Sequence, residues 1–347
     1  MGSKLRPDRI TLGNEVFEGR NNSYVLREGA TVLVDTGAAI PSVEDDLTRG
    51  LADLGQSYAD VDAIVLTHRH ADHAGLAGAI QAESGATVYV HDDDSPLVEG
   101  DPAARAAERT RMREVFDEWG MPSEARAELE SFFESTSGLD GDPVEVTPVR
   151  GGETVTVGDV SLEVVHLPGH TAGQVAYAFD GERGREAFVG DAILPKYTPN
   201  VGGADLLVDR PLERYVDSLL EIVDRDWERA WPGHRDPIDD PARRAAVILE
   251  HHRERTDRVL DVLREYGPAD AWTVSAHLFG DLEEIHILHG PGEAYAHLDH
   301  LERAGLLETM RLPAGDDTDT DRNRIQYRLL DADASADRLF PDVDTKH

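Results

Sequence analysis

The sequence predicts an α/β fold in which two β-sheets pack face to face with helices outside. Three observations carry that prediction. Two β-rich stretches of similar texture, each with helical text, flank a polar helical segment. The strands are short and apolar. The loops that follow them carry the polar clusters, which is where catalytic groups commonly sit on such a scaffold.

In chain order, SYVLRE (23–28) and TVLVDTG (31–37) read as a hairpin turning at Glu28-Gly29. DAIVLT (62–67) is a fully apolar strand, GLAGAIQAESG (75–85) a helix ending at Gly85, and ATVYVH (86–91) another strand. Residues 92–143 turn polar and rich in Arg, Glu and Ala, with helical stretches around 101–119 and 123–134, as expected of a helical insertion. Strands return with PVEVTPV, ETVTVGD, VSLEVVHL, QVAYAFD and REAFVGD, followed by helices at 211–225 and 241–266. Beyond them, a helix closed by Gly267-Pro268 is followed by helices at 272–280 and 291–309. Ala294, Leu298, Leu301 and Leu306 of the last helix face inward. TMRLP and RIQYRLL then form two strands joined by the acidic loop AGDDTDTDRN. Three helices and a hairpin give the outline of a winged-helix domain. The last residues are polar and loose.

A chain of 347 residues has room for one large domain and one small one. No apolar run approaches the ~20 residues of a membrane span, and the N-terminus lacks the apolar core of a signal peptide, so a soluble cytoplasmic protein is expected. There is no cysteine, which excludes disulfides, thiolate metal sites and cysteine nucleophiles. Any metal must be held by imidazole and carboxylate. The chain carries 69 acidic residues against 34 basic ones, a formal net charge of −35. Lysine occurs only at 4, 196 and 346. A GC-rich genome explains the preference for Arg but not the acid excess, which points to a halophilic protein working in concentrated salt.

The densest chemistry is THRHADHAG (67–75), with three histidines and an aspartate within six positions after an apolar strand. His68 and His70 are two apart and point the same way in an extended loop. Asp72 and His73 lie one turn later, so the segment can serve two adjacent metal sites. Two metals need further ligands. His170 in HLPGHTAGQ, Asp191 in FVGDAIL and His234 in AWPGHRD each stand in a tight loop directly after a glycine. His166 reads as a structural or supporting residue, and His251 and His252 as surface residues of a charged helix. The histidines at 277, 286, 289, 297 and 300 read as solvent-facing or packing residues. Lys196 and Tyr197 are open to an anion-binding or a plain surface role.

These motifs, in this order, resemble the metallo-β-lactamase superfamily and its H-x-H-x-D-H loop, in particular the dinuclear glyoxalase II (hydroxyacylglutathione hydrolase) branch. The resemblance runs from about Tyr24 to Pro237 and includes DTG at 35–37. It implies an αββα sandwich with the metals at one edge. By position, His68, His70 and His170 hold one ion, Asp72, His73 and His234 the other, and Asp191 bridges them. It also implies that Asp35 braces the site by hydrogen bonding. The domains expected are a catalytic domain over 1–245 with the insertion at 92–143, a winged-helix domain over 246–332, and a polar tail over 333–347. The tail domain resembles the winged-helix appendix of one superfamily group, which includes a mitochondrial endoribonuclease.

Two divalent ions a few Å apart lower the pKa of a shared water toward neutrality, so the expected reaction is hydrolysis by an activated hydroxide, with Asp72 and Asp191 as catalytic residues. Zinc suits the ligand set, with manganese or iron as alternatives. A small-molecule thioester or other carboxylic ester is the first substrate class and a phosphodiester such as single-stranded RNA the second. An iron-dependent persulfide dioxygenase is a third reading. A β-lactamase proper is disfavoured, because the best-known zinc enzymes carry Cys where Asp191 stands. Nucleic acid is disfavoured by charge: residues 251–330 hold 9 basic and 16 acidic side chains, a net of 9 − 16 = −7. The appendix therefore reads as a packing or homodimerisation module.

Overall fold

The structure, a computed structural model, describes residues 4–14, 19–312 and 323–343. The acidic loop expected at 314–323 lies outside the described residues except for Asn323. The chain divides into two compact units, one comprising Met1–Arg105, Ser137–Pro199 and Ser218–Ala245, the other Ala106–Thr136, Asn200–Asp217 and Ala246–His347. Among the described residues, no helix is long and apolar enough to cross a membrane.

The first unit holds two sheets. In the first sheet, β1 (Asp8–Leu12), β2 (Asn21–Arg27), β3 (Thr31–Val34), β4 (Ala63–Val65), β5 (Thr87–His91) and β6 (Val146–Val149) lie side by side in that order. β1, β2 and β3 are antiparallel, and β3 through β6 are parallel. The second sheet runs β11 (Arg229–Pro232), β10 (Gly184–Gly190), β9 (Val175–Gly181), β8 (Val160–His166), β7 (Thr154–Val157). It is antiparallel except for the β10–β11 pair.

One core lies between the sheets. Tyr24, Leu26, Val32, Val34 and Val65 of the first meet Leu162, Val164, Val175, Tyr177, Phe179 and Phe188 of the second. The intervening residues Ala176, Ala178, Ala187 and Val189 are buried too, so both faces of β9 and β10 are covered, which explains their unbroken apolar text. The other face of the first sheet carries a second core, built with the helices Pro41–Asp53 and Ala77–Ser84. Val43, Leu47 and Leu51 recur every fourth residue on the first of these helices, and Pro41 opens it where a missing N–H costs nothing. This helix and β1 are absent from the expected element list, although the helix has the required period.

Phe179 and Phe188 are fully buried and stack with ring centroids 4.8 Å apart. Phe179→Ala is expected to cost about 3–5 kcal/mol, read by urea unfolding at fixed KCl. A cost below about 1 kcal/mol would mean that the two faces collapse onto the void.

The second unit is helical. It contains most of Pro102–Glu118 and Ser123–Thr136, the later part of Pro241–Tyr266, then Ala271–Phe279 and His286–Arg303, and a hairpin of β12 (Leu307–Arg311) with β13 (Ile325–Leu329). Asp270 caps Ala271–Phe279 by accepting from the Thr273 amide at 2.7 Å. Ala294, Leu298 and Leu301 are buried as expected, but Leu307, not Leu306, completes the set. The helix stops at Arg303, and Gly305 turns the chain with φ +75°, so the next inward position belongs to β12. The surface reading of His252 is wrong: it is 0% exposed, as is His297.

Candidate metal centre

All seven side chains singled out in the sequence converge in the first unit. The loop after β4 carries His68 and His70, and the short helix Ala71–Ala74 turns Asp72 and His73 to one side. His170 lies between β8 and β9, Asp191 directly follows β10, and His234 stands two residues after β11. Because β10 and β11 are parallel neighbours, Asp191 and His234 emerge from the same edge.

Two glycines make the approach close. Gly190 holds φ +48° before Asp191, a conformation costly for other residues. A Cβ at Gly233 would collide with His73 and Asp191, so no larger residue leaves room there.

The ring nitrogens fall into two groups. Nδ1 of His70 lies 3.0 Å from Nε2 of His68 and 3.1 Å from Nε2 of His170. On the other side, Nε2 of His234 is 3.5 Å from Oδ2 of Asp72, whose carboxylate is also 3.8 Å from Nε2 of His73. Asp191 touches both groups: Oδ2 is 3.7 Å from His170 and 3.4 Å from His234, and Oδ1 is 3.6 Å from His73.

The protons are set from behind. His73 donates from Nδ1 to Asp35 at 2.9 Å, and His234 donates from Nδ1 to the Gly19 carbonyl at 2.9 Å. Thr67 donates its hydroxyl hydrogen to Asp35 and so accepts from Nδ1 of His68 at 3.1 Å. In each case Nε2 is left as a lone pair facing the centre. Nε2 of His73, Nε2 of His234 and Oδ1 of Asp191 are buried without any hydrogen-bond partner. Buried acceptors converging with no donor between them are what a divalent cation satisfies, and His68/His70/His170, His68/His73/Asp191 and Asp72/His73/His234 are each grouped closely enough to hold one.

The carboxylates that would attract a cation also raise the proton affinity of the imidazoles, so a proton competes with a metal ion for Nε2 of His73 and His234. Burial by itself would lower the proton affinity of His73, but the carboxylates of Asp191 and Asp72 and the bond to Asp35 outweigh it and push its pKa up to about 10. His234 is likewise raised, to about 9, mainly by Asp191 against burial. Asp191 is held far below the usual carboxylate range by His234 and His73 despite its burial. His68, buried among other imidazoles, is pushed well down. The negative field lies at Asp72 and Asp191.

Asp35 takes a left-handed φ of +56°, a strain of about 1–3 kcal/mol, and besides His73 its carboxylate accepts from the Thr67 amide at 2.8 Å. Sequence reasoning passed over other supporting groups. Asn21 donates to Oδ2 of Asp72 at 3.0 Å and accepts from Asn14 at 2.8 Å. Asp94, fully buried, accepts from the Arg69 amide, the Thr171 hydroxyl and the Gly173 amide, tying the two histidine loops together. Its signal, an aspartate in the run HDDDS, is hidden among surface acids. His166 stacks on His91 with ring centroids 4.0 Å apart and donates to the Ala172 carbonyl at 2.8 Å.

A sandwich whose loops bring histidines and carboxylates to one edge defines the class, and the family comparison agrees. The metallo-beta-lactamase superfamily profile matches residues 16–234, and the chain belongs to that superfamily. Among its relatives is the probable metallo-hydrolase YqjP of Bacillus subtilis, 26% identical over 283 residues covering 80% of this chain and 86% of that protein. A hydroxyacylglutathione hydrolase of Bdellovibrio bacteriovorus is 26% identical over 205 residues, 58% of each chain. In three dimensions, the metallo-beta-lactamase family protein TTHA1429 from Thermus thermophilus superposes with a TM-score of 0.76 at 29% identity, covering 93% of this chain and 98% of that one.

Proposed function

We propose that this protein is a dinuclear metallo-hydrolase acting on a thioester or other carboxylic ester of a small molecule. The observation that carries the dinuclear reading is the position of Asp191, whose Oδ2 lies within 3.7 Å of His170 and 3.4 Å of His234. On this reading His68, His70 and His170 hold one ion and Asp72, His73 and His234 the other, with Asp191 common to both. Zinc is the metal this donor set suits best. Ions bound there supply Lewis acidity and bring the pKa of a water they share toward neutrality.

The chain's own groups do the rest. Asp35 and the Gly19 carbonyl keep His73 and His234 in the tautomer that presents Nε2. Asn21 fixes the Asp72 carboxylate, which orients the attacking water and takes up its proton. Gly233 leaves space beside Asp191. Water adds to the acyl carbon, the bond to the leaving sulfur or oxygen breaks, and the products are the acid and the thiol or alcohol.

The distant hydroxyacylglutathione hydrolase supports a thioester. Against an RNA substrate stands the charge: the chain carries −35 overall and −7 over residues 251–330, where a phosphate-binding face should be basic. We read the helices and hairpin over residues 246–332 as a winged-helix appendix used for packing or homodimerisation, and the acid excess as adaptation to concentrated salt.

A substrate panel in high salt tests the reading, using S-lactoyl thioesters, acyl-CoA, aryl esters, bis(p-nitrophenyl) phosphate and single-stranded RNA. Thioester cleavage that disappears in Asp72→Ala is expected. Cleavage of RNA with inert thioesters would replace this reading with a phosphodiesterase, and oxygen uptake with a persulfide would replace it with a dioxygenase.

A further inference from the structure

The helical unit contains a second cluster of ligand-type side chains that hydrolysis does not use. His252, on helix Pro241–Tyr266, meets Glu293 and His297, one turn apart on helix His286–Arg303. All three are buried: the histidines are 0% exposed and Glu293 4%. Nδ1 of His252 lies 3.4 Å from Nε2 of His297, and each of these nitrogens lies 3.7 Å from Oε1 of Glu293.

Three atoms spaced in this way sit about 2.1 Å from their common centre, the length of a bond from zinc to an imidazole nitrogen or a carboxylate oxygen. Separations of 3.4–3.7 Å also relate Asp191 to its histidines in the first unit. They are too long for good hydrogen bonds and match the edges of a coordination polyhedron.

The proton arrangement points the same way. Thr256 donates its hydroxyl hydrogen to the His252 carbonyl at 2.8 Å, so it accepts from Nδ1 of His297 at 2.7 Å. That leaves Nε2 of His297 as a lone pair beside a carboxylate oxygen, with Nδ1 of His252 at 3.4 Å as the one long-range donor to it among the described residues. His252 has no hydrogen bond shorter than 3.4 Å at Nδ1 and none at Nε2, although the ring is fully buried. The Asn200 side chain and the Val201 amide hold Oε2 of Glu293, each at 3.1 Å, and so aim Oε1 at the histidines. Arg255 contacts Oε1 as well and otherwise bonds Nε2 of His251. Among the described residues it reaches neither of the two facing nitrogens.

We propose that His252, Glu293 and His297 form a structural site for one zinc-class divalent ion, separate from the seven-residue cluster. Two imidazoles and a carboxylate select this class over magnesium or calcium, which prefer all-oxygen shells. Arg255 shares the carboxylate and adds positive charge, so it weakens the site without abolishing it.

Co2+ is the probe, because a four-coordinate ion gives visible d–d absorption. In the His68→Ala/Asp191→Ala/His234→Ala chain, which leaves no complete ligand triad in the first cluster and is shown to be folded by near-UV circular dichroism, one equivalent of Co2+ is expected to remain bound. Adding His297→Ala or the milder Glu293→Gln removes that equivalent, His251→Ala retains it, and Arg255→Met lowers its Kd. The proposal is overturned if the folded His68→Ala/Asp191→Ala/His234→Ala chain takes up no Co2+ and melts at the same temperature with Co2+ as with EDTA. It is equally overturned if His297→Ala and Glu293→Gln leave uptake unchanged. Neither result depends on what the first cluster hydrolyses.

Discussion

Asp191→Ala is expected to lower kcat/KM for the preferred ester by about 10³-fold or more, about 4 kcal/mol of barrier. The same change should leave the cluster unable to hold two ions. Among the described residues, Asp191 is the one carboxylate with a contact in both nitrogen groups, at 3.7 Å to His170 and 3.4 Å to His234. Asp72, by contrast, approaches His73 and His234 of the second nitrogen group. Losing Asp191 removes the link between the groups and the largest single contribution to the field that, against burial, raises the proton affinity of His73. Asp72 is then the one carboxylate of the seven left to offset the charge of bound ions. Metal analysis and kinetics on the same preparation check this. Full activity with one ion bound would show that the chemistry needs a single metal and would sink the dinuclear reading.

The second large effect concerns salt. The melting temperature is expected to rise by about 10 °C or more between 0.1 M and 2 M KCl. At the lower concentration the Debye length is about 10 Å, so neighbouring surface acids repel one another; above 1 M it falls to about 3 Å or less and the repulsion is largely screened. With 69 acids and 34 bases, pairing every base would still leave 35 acids uncompensated. Observed arginine pairs such as Arg183–Asp239 and Arg27–Asp8 are exposed and contribute little individually. A melting temperature that stays flat across this range would refute salt adaptation.

The parts of the site that were legible in the sequence are those written locally. HRHADH announces itself by composition, and His170, Asp191 and His234 by a glycine before each, because tight delivery of a ligand needs a residue without a side chain behind it. What stayed hidden is relational. Nothing in NNSY marks Asn21 as a partner of Asp72, 51 residues away. Asp94 looks like one more acid on an acidic chain until its three donors are seen. In the fold, long periodic segments such as 241–266 read correctly, whereas β1 is five residues with only two inward positions, too little pattern to find. His252 was misread because its neighbours on the helix are charged. Its burial is decided by the other helix, which a one-dimensional reading does not see.

The seven side chains come from opposite layers, four from the loop after β4 and three from the ends of β8, β10 and β11. Cations gripped there would rivet one layer to the other, and a chain without cysteine has no covalent means of doing the same. Occupancy would then set mechanical cohesion as well as reactivity, so that a starved molecule loosens at the same rim where it would otherwise turn over its substrate.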